Sequence, residues 1–387
     1  MTEENSKPQI RFAGFNDAWE QRKLSSMTSL ITKGTTPLDK SGTGNINFVK
    51  IENIDNSSGE INITQTISES EHNGYLRRSQ LKEGDILFSI AGTLGRVTCV
   101  KSSILPANTN QALAIIRLKE GNLNYIQTYL KGKAISDFIK KNPTVGAQPN
   151  LSLEQVSNLE IALPKKDEQA KIGEYFKNLD HLITLHQRKY DKLLSVKKSM
   201  LEKMFPKNGS NVPEIRFKGF TEAWERRKLG EVFNFHYGDG NNNPSNGGQY
   251  PVFGAGGVQG GYTKYNAENS IIIGHMGDAG CVSWGEGKHF VTYNGTITKP
   301  KDDIFPAKFG YYLLLNMNLR KYRGGSGLPF LTYDMLTEME TKCPNSKIET
   351  QKIAAYFSNL DRLITLHQRK LTKLQNIKKA CLEKMFV

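Results

Sequence analysis

The segment Leu182-Ile-Thr-Leu-His-Gln-Arg-Lys189 recurs without a single change at 363–370, and this repetition decides the architecture of the chain. The similarity extends on both sides, because 24 of the 35 residues in 171–205 are identical to those in 352–386. Both copies have apolar residues at helical spacing and, after their first few residues, contain neither Pro nor Gly. Each copy therefore predicts one long helix of roughly 52 Å.

A second repeated block precedes each long helix. Residues 8–24 return as 213–229 with 12 of 17 positions identical, whereas the stretches between the blocks differ in sequence and length. The chain is therefore two copies of one unit: an opening block, a variable globular insert and a closing helix. One helix cannot bury so wide an apolar stripe, so we expect the two closing helices to pair within the chain. The predicted parts are a first domain at 1–165 with its opening block at 8–24, a first helix at 166–206, a second domain at 207–345 with its opening block at 213–229, and a second helix at 346–387.

Composition limits the class of protein. The 387 residues carry a net charge of +14, and 37% of them are hydrophobic, which is enough for real cores. Aliphatic runs are short, the first residues lack the pattern of a signal peptide, and the four cysteines form no CxxC pair. We expect an intracellular, cytoplasmic protein with no membrane association and no metal site. Because +10 of the +14 lies on 165–205 and 346–387, the closing segments carry most of the charge that favours polyanionic partners.

The two inserts are predicted to share a mixed α/β fold. Residues 84–97 have the pattern of a strand, a glycine turn and a second strand, and they align with 269–282 through two shared glycines. A helix is expected near 123–140 in the first insert and near 308–321 in the second. A loop rich in small and polar residues follows each of them.

Polar residues of the inserts, most of them on loops, are candidates for contact with DNA. Asn and Gln can form two hydrogen bonds to adenine, and Arg and Lys can do the same to guanine. Each such residue alone is more simply explained as part of a turn, but matching loops occur in both copies. The candidates are Lys33, Thr35, Arg77, Arg78, Ser89, Thr93, Arg96, Thr109, Asn110, Gln111, Gln148 and Asn150 in the first insert, and Lys264, His275, Asp278, Thr292, Asn294, Arg323 and Ser326 in the second.

Sequence motifs of catalysis are missing. The chain has no GxxxxGK[ST], HExxH, GxSxG or [ND]PP[YFW] pattern. Asp278, Glu286 and Lys288 loosely match a nuclease metal site, but the spacing is so permissive that coincidence explains it better. His186 and His367 lie on the apolar stripes near the midpoints of the helices, where we expect them to set the register of the pair. A pH-sensitive or metal-bridging histidine pair is the alternative.

The repeated blocks resemble those of one family. The marks are IRFxGFxxAWExRKL in both opening blocks, KIxxYFxNLDxLITLHQRK at the start of both closing blocks, and LEKMF at their ends. Together with the strand–glycine turn–strand pattern at 84–96, these blocks are similar to those of the specificity (S) subunits of type I restriction–modification systems. The sequences of the repeats are similar to those of staphylococcal members. The resemblance covers the chain from end to end.

The resemblance implies two target-recognition domains of mixed α/β fold, separated by two long antiparallel conserved helices. Each domain would read one half of a bipartite, asymmetric sequence in double-stranded DNA. The chain would have no catalysis and no cofactor of its own. It would recruit two modification (M) subunits, which bind S-adenosylmethionine and methylate adenine N6, and restriction (R) subunits, which use ATP and Mg²⁺. The residues that the resemblance assigns to partner contact are Phe12, Trp19, Tyr175, Phe176, Leu179, Ile183, Phe217, Trp224, Tyr356, Phe357, Leu360 and Ile364.

The sequence agrees with this picture and leaves alternatives. A helix of ~52 Å spans about 15 base pairs, and inserts that differ in sequence imply two different half-sites. The inserts are nearly neutral, so either local patches suffice for DNA binding or the basic helices contact phosphates through Lys197, Lys198, Lys378 and Lys379. A protein-assembly scaffold, an inactive S subunit and, least of all, a stand-alone nuclease remain as other hypotheses.

Overall fold

A computed structural model describes residues 7–39, 41–55, 59–141, 149–207, 209–240, 247–302, 304–325 and 327–386. The chain forms two compact units, unit 1 (residues 1–188 and 368–387) and unit 2 (residues 189–367). Each unit therefore contains one insert, part of the first closing helix and part of the second.

Unit 1 is built on two small sheets and a two-stranded ladder. In chain order its elements are β1 (Glu20–Lys23), β2 (Thr28–Lys33), β3 (Ile46–Val49), β4 (Thr66–Ile67), α1 (Glu69–Asn73), β5 (Ile86–Ser89), β6 (Val97–Cys99), β7 (Ala107–Thr109), β8 (Leu113–Leu118), α2 (Leu123–Leu130), α3 (Lys133–Lys141), α4 (Leu153–Ser157), β9 (Glu160–Leu163) and the first part of α5 (Lys166–Lys203). The strand orders are β2-β8-β5-β6, β4-β3-β7 and β1-β9. Short 3-10 turns occupy 24–27, 51–53, 77–79 and 102–104.

The central strand of unit 1 is buried on both faces. In β5, the side chains of Ile86 and Phe88 pack into the core that includes Tyr125 of α2. Leu87 points to the opposite face and packs in a separate cluster with Val49. This alternation explains why Ile-Leu-Phe forms a strand here, since side chains project from a strand with a period of two.

Unit 2 has one larger sheet. Its elements are the rest of α5, then β10 (Glu225–Lys228), α6 (Leu229–Val232), β11 (Phe233–Tyr237), β12 (Tyr250–Gly254), β13 (Gly257–Tyr262), β14 (Ala267–Gly274), β15 (Val282–Val291), β16 (Gly295–Pro300), α7 (Ala307–Met317), a 3-10 turn (Leu319–Tyr322), α8 (Tyr333–Glu338), β17 (Glu340–Cys343) and the first part of α9 (Lys347–Lys384). The strand orders are β11-β16-β14-β15-β12-β13 and β10-β17.

The opening blocks fold in the same way in both units. Strand β1 pairs antiparallel with β9, and β10 pairs antiparallel with β17, so each insert leaves and rejoins the frame at one two-stranded ladder. In unit 1 the guanidinium of Arg11 donates two hydrogen bonds of 2.7 Å to the buried carboxylate of Glu168. In unit 2 Arg216 does the same to Glu349, at 2.7 and 2.8 Å.

The two long helices run antiparallel within each unit. In unit 1, Tyr175 of α5 contacts Cys381 of α9, and Asp180, further along α5, pairs with Lys378, which lies earlier in α9. In unit 2, Lys197 pairs with Asp361, and the later Phe205 packs against the earlier Phe357. The mixed helix and strand fold with two long antiparallel helices is thereby confirmed. Each helix has 38 residues.

Two details differ from the sequence-based expectation. The helix expected near 123–140 is two helices, α2 and α3, which meet at Lys131 and Gly132. The helix expected near 308–321 ends at Met317, where Asn318 adopts a left-handed conformation with φ 52°. A left-handed residue stops an α-helix, and Asn tolerates this conformation better than most residues.

Candidate nucleic-acid interface

Each insert carries the same tight turn between two strands. In unit 1 the turn 90–96 joins β5 to β6, and the Gly95 amide donates to the Ser89 carbonyl at 3.1 Å. In unit 2 the turn 275–281 joins β14 to β15, and the Gly280 amide donates to the Gly274 carbonyl at 2.9 Å. Gly92, Gly95, Gly277 and Gly280 all have positive φ, which explains the shared glycines of the two sequences.

A second loop is fastened to this turn in both units. The Gly92 amide donates to the Pro149 carbonyl at 3.3 Å, and the Gly277 amide donates to the Pro329 carbonyl at 3.0 Å. The next residues continue the pattern, since the Leu151 amide reaches the Ile90 carbonyl and the Leu331 amide reaches the His275 carbonyl, both at 2.8 Å. These backbone bonds place Asn150 and Phe330, which precede the two leucines, beside the turns of their units.

A third loop packs against its neighbour through a glycine that has no room for a side chain. A Cβ on Gly34, which follows β2, would lie 2.0 Å from the Thr109 carbonyl oxygen. A Cβ on Gly238, which follows β11, would lie 2.3 Å from the carbonyl oxygens of Val291 and Thr292. This neighbouring loop is in turn bonded to the tight turn, because the Ile90 amide donates to the Ala112 carbonyl at 2.8 Å and the His275 amide donates to the Asn294 carbonyl at 2.7 Å. The frame therefore brings four loops together in each unit.

We expect Gly34→Ala or Gly238→Ala to force these loops apart. The added methyl meets backbone, which cannot swing away, so the free energy of unfolding should fall by about 1–3 kcal/mol. Gly240→Ala is the control, because nothing lies within 4 Å of a Cβ at that position. Thermal unfolding of the three variants measures the difference. Equal stability of Gly238→Ala and Gly240→Ala would contradict the close approach of the loops.

The side chains on this common frame differ between the units. We call the residues of unit 1 recognition surface 1 and those of unit 2 recognition surface 2. Surface 1 consists of Lys33, Thr35, Thr36, Gln111 and Asn150. Surface 2 consists of Tyr237, Asp239, His275, Tyr293, Asn294, Phe330 and Tyr333. Lys33 occupies the position of Tyr237, Thr35 that of Asp239, Gln111 that of Tyr293, and Asn150 that of Phe330, as the paired backbone bonds of the two units require.

Surface 1 is polar. Lys33, Thr36, Gln111 and Asn150 are exposed, and Thr36 donates a hydrogen bond to the side-chain carbonyl of Gln111. This hydrogen bond fixes the side chain of Gln111, and the two hydrogens on Nε2 of Gln111 remain able to donate. A fixed amide of this kind can form the paired hydrogen bonds by which Gln recognises adenine.

Surface 2 is aromatic. The centre of the Tyr237 ring lies 4.3 Å from the centre of the His275 ring and 4.9 Å from that of the Tyr333 ring. His275 Nδ1 lies 2.9 Å from the Leu331 carbonyl oxygen, which can only accept, so Nδ1 carries the hydrogen. In the neutral ring Nε2 is then an acceptor. Tyr293 and Phe330 are also exposed, and such rings offer stacking and apolar contacts as well as hydrogen bonds.

Several predicted contact residues lie where DNA could reach them. Arg77 and Arg78 are exposed on a 3-10 turn, and on the loops around surface 1 Thr93 is exposed and Asn110 is partly exposed. In unit 2, Lys264 and Arg323 are exposed, and Asp278 is partly exposed and paired with Arg320 at 2.7 Å. Gln148 and Ser326 lie outside the described residues.

Four predicted contact residues instead lie inside the loop frame. Ser89, Thr109 and Thr292 are buried. The Ser89 hydroxyl donates to the Thr93 carbonyl at 2.6 Å and accepts from the Arg96 amide at 2.7 Å. The guanidinium of Arg96 donates to the carbonyls of Ile51 and Ile54 at 3.1 and 3.3 Å. The Thr109 hydroxyl donates to the Val49 carbonyl at 2.9 Å, so backbone groups already use the polar atoms of Ser89, Arg96 and Thr109.

The sequence-based candidates omitted the aromatic residues of surface 2. Tyr237, Phe330 and Tyr333 are not among those candidates, although each is 37–41% exposed. The available signal was weak: Tyr237 ends a strand, and Phe330 and Tyr333 flank the start of a helix, nearly a hundred residues away. Only the pairing of the loops reveals that they meet.

The predicted partner-contact residues divide into two groups. Phe12, Tyr175, Phe217, Tyr356 and Ile364 keep part of their surface. Phe12 packs edge-to-face on Tyr175 with ring centres 5.7 Å apart, and Phe217 packs in the same way on Tyr356 with ring centres 6.2 Å apart. The other predicted residues are buried within their own units, and their contact with a partner stays a prediction. They are Trp19, Phe176, Leu179, Ile183, Trp224, Phe357 and Leu360.

The loose nuclease pattern does not form a site. Asp278 pairs with Arg320, whereas Glu286 accepts from the Trp284 indole at 2.5 Å and from Lys308 at 3.1 Å. These two hydrogen bonds lower the pKa of Glu286, the bond from Trp284 most. The ammonium of Lys288 lies 4.6 Å from the centre of the Tyr265 ring. Within the described part of the chain, no three His, Cys, Asp or Glu residues are grouped so as to hold a metal ion.

The helix-register prediction for the two histidines stays a prediction. His186 belongs to unit 1 and His367 to unit 2.

Among the described residues, none of the helices has the length and apolar character that crossing a membrane requires.

Comparison with known proteins connects this architecture to one family. Residues 16–195 and 221–376 match the family described as type I restriction modification DNA specificity domain. The chain is 24% identical over 254 residues to the type I restriction enzyme MjaX specificity subunit of Methanocaldococcus jannaschii, and 24% identical over 239 residues to the MjaIX specificity subunit of the same organism. These matches cover 63% and 57% of this chain and 59% and 52% of the relatives, so the chain spans little more than half of their length.

The fold has a counterpart among solved structures. The crystal structure of the type I restriction–modification S subunit from M. genitalium superposes with a TM-score of 0.73 over 98% of this chain and 99% of that one, at 18% sequence identity. This likeness concerns the fold. The family match includes both inserts and most of both long helices, and the chain therefore belongs to the type I restriction modification DNA specificity domain family.

Proposed function

We propose that this chain is the non-catalytic specificity subunit of a type I restriction–modification complex and that it reads a bipartite, asymmetric sequence in double-stranded DNA. Surface 1 reads one half of the target and surface 2 the other. The chain directs two adenine-N6 methyltransferase (M) subunits and, in the full complex, restriction (R) subunits to that sequence. Its partners act on DNA, so we place its action in the cytoplasm.

One observation carries this proposal: the two units hold the same loop frame but present different side chains on it. A frame with shared glycines and shared backbone bonds gives both surfaces the same geometry. Surface 1 then offers Lys33 and Gln111 where surface 2 offers Tyr237 and Tyr293. Because base edges are distinguished by donor, acceptor and methyl patterns, two such surfaces select different bases.

The partner subunits supply the chemistry in this proposal. S-adenosylmethionine binds the methyltransferase subunits, and ATP and Mg²⁺ serve the restriction subunits, so this chain needs no cofactor. The partly exposed aromatic pairs Phe12–Tyr175 and Phe217–Tyr356 are equivalent positions in the two units, and they fit two copies of one partner. The antiparallel helices, which both continue from one unit into the other, set the spacing of the half-sites.

A methylome comparison tests the proposal. DNA from cells with the M subunit alone is sequenced by a long-read method beside DNA from cells with M and this chain. We expect a new bipartite adenine-methylation motif with two different halves only when the chain is present. If a stable complex forms with M and no motif appears, the chain is an assembly scaffold or an inactive subunit.

Single substitutions should act on one half each. We expect Gln111→Ala to relax one position of the first half, because loss of a paired hydrogen bond removes about 1–3 kcal/mol of base discrimination. Tyr237→Ala should relax the second half and leave the first unchanged. Gln21→Ala is the control for the first change, since Gln21 is an exposed glutamine on β1, outside the loop frame. The frequency of methylation at near-cognate sites is the readout, and a Gln111→Ala effect on both halves would contradict the division of labour.

A further inference from the structure

Unit 1 has a lysine-lined cavity apart from its recognition surface. It has a volume of about 810 Å³ and lies between α3 and the last turns of α9. We call it the lysine groove, after the residues Lys131, Lys133, Lys140, Lys378, Lys379 and Lys384, which all line it. Asp137 and Glu383 are the acidic residues of the lining.

The charge of the groove is only partly neutralised by the acids around it. The carboxylate of Asp180 lies 2.6 Å from the ammonium of Lys378 and 3.9 Å from that of Lys131. Burial lowers the pKa of Lys131, the positive charge of Lys378 lowers it further, and Asp180 opposes both. Lys133, Lys379 and Lys384 extend into solvent. An anion entering the groove would therefore meet several ammonium groups at once.

The groove is continuous with the loop frame of surface 1. A Cβ on Gly95, in the turn 90–96, would lie 2.9 Å from Cδ1 of Ile139 in α3, so the turn rests on this helix. The next residue, Lys140, lines the groove, and Lys133 lines it two turns earlier in α3. Helix α3 thus connects the loops that face DNA with the lysines at the end of α9.

The equivalent cavity of unit 2 is smaller and is lined by fewer lysines. The repeat offset of 181 equates Lys378 and Lys379 with Lys197 and Lys198, which line a smaller cavity of about 300 Å³. There the insert contributes Leu315 and Asn316 instead of lysines. The first insert therefore contributes Lys131, Lys133 and Lys140 to the lysine groove, whereas Lys378, Lys379 and Lys384 belong to the shared closing helix.

We propose that the lysine groove binds the sugar-phosphate backbone of duplex DNA beside the half-site that unit 1 reads. This rests on the proposed function and adds to it a contact that is independent of sequence. Lysine ammonium groups on flexible stems suit phosphates, whose neutralisation releases counterions and supplies most of non-specific affinity. The connection through α3 to surface 1 favours DNA over an acidic protein segment. Binding at the first half of the target is then more salt-dependent than binding at the second.

The test uses the complex with M and two variants of equal charge change. The groove variant is Lys133→Gln/Lys379→Gln/Lys384→Gln. The control variant is Lys101→Gln/Lys119→Gln/Lys166→Gln, three exposed lysines of unit 1, of which the first two lie at the strand ends opposite the loop frame. Affinity is measured between 50 and 200 mM salt for a duplex with the methylated target and for a shuffled duplex.

We expect the slope of log affinity against log salt to shrink by ~0.9 for each lost phosphate contact, about 2.7 for the groove variant, with no change for the control. The ratio of the DNA affinity of the native complex to that of the groove variant should then fall about 40-fold between 50 and 200 mM salt. Affinities for target and shuffled duplexes should fall by the same factor. Lys379→Gln alone, with an expected change of ~0.9, guards against a folding defect in the triple variant.

Other results would overturn the proposal. A groove variant with the slope of the control means that the groove does not contact DNA. Loss of M binding with an unchanged slope means that the groove takes an acidic protein segment. Phosphate-ethylation interference locates the contact, which must lie beside the half-site of unit 1. A native complex with no preference for the target over the shuffled duplex would instead refute the proposed function. The difference in salt slope between the native complex and the groove variant would still show whether the groove contacts DNA.

Discussion

Exchanging the first insert for the second will give a complex that methylates a sequence with two identical halves. The exchange places residues 229–339 between residues 23 and 160. The junctions are equivalent, because the Leu24 amide donates to the Leu159 carbonyl at 2.8 Å and the Leu229 amide donates to the Met339 carbonyl at 2.8 Å. Each insert is closed at this bond, just inside the β1–β9 or β10–β17 ladder, so the frame around it is unchanged.

Long-read sequencing of methylated DNA measures the outcome. The second half of the native motif should appear twice, and the first half should disappear completely. An exchange with the insert of another specificity subunit at the same junctions is the control, and it should replace the first half only. If both halves change in that control, the inserts do not read independently. The same exchange would remove the lysine groove's contribution from α3, so the doubled target should also be bound with a smaller salt slope.

Removing Arg216 should destabilise unit 2 far more than removing another arginine with an ion pair. Arg216 is 11% exposed and Glu349 1% exposed, so Arg216→Met leaves a carboxylate buried without its counter-charge. Such a loss costs about 3–5 kcal/mol in free energy of unfolding. Arg226→Met is the control, since the Arg226–Glu340 pair is 65% and 61% exposed and contributes at most about 1 kcal/mol.

Urea unfolding, followed by a probe in unit 2, compares these variants. The double variant Arg216→Met/Glu349→Met should recover much of the lost stability, because the cost arises from the unpaired charge and not from the missing bonds. A double variant as unstable as Arg216→Met would show instead that packing around the arginine accounts for the loss. The equivalent pair of unit 1, Arg11 and Glu168, allows the same experiment there.

The repeat made the architecture predictable. Two unbroken apolar-striped segments predicted the long helices to within a few residues of α5 and α9, and the common glycine turn predicted a common insert fold. The sheets themselves were beyond the sequence. Unit 1 divides its strands between a four-stranded and a three-stranded sheet, whereas unit 2 has one sheet of six, and this depends on pairings between distant strands.

The candidate site was predictable at its loops and not at its side chains. Gln111 and His275 could be chosen because they stand next to turn signals. Ser89 was chosen for the same reason, yet its hydroxyl is used inside the turn. Periodicity likewise cannot tell an apolar face covered by the chain's own residues from one left for a partner, and Phe176 and Phe357 prove to be buried.

The route of the chain through the helices sets an order for its biosynthesis. Unit 1 contains residues from both ends of the sequence, and Met385 and Phe386 are part of its core. The ring of Phe386 packs against those of Trp19 and Phe176, and the Ile10 amide bonds to the Lys384 carbonyl. Synthesis of unit 1 therefore begins before that of unit 2 and is completed after it, and a chain that stops before Met385 would lack part of the core of unit 1.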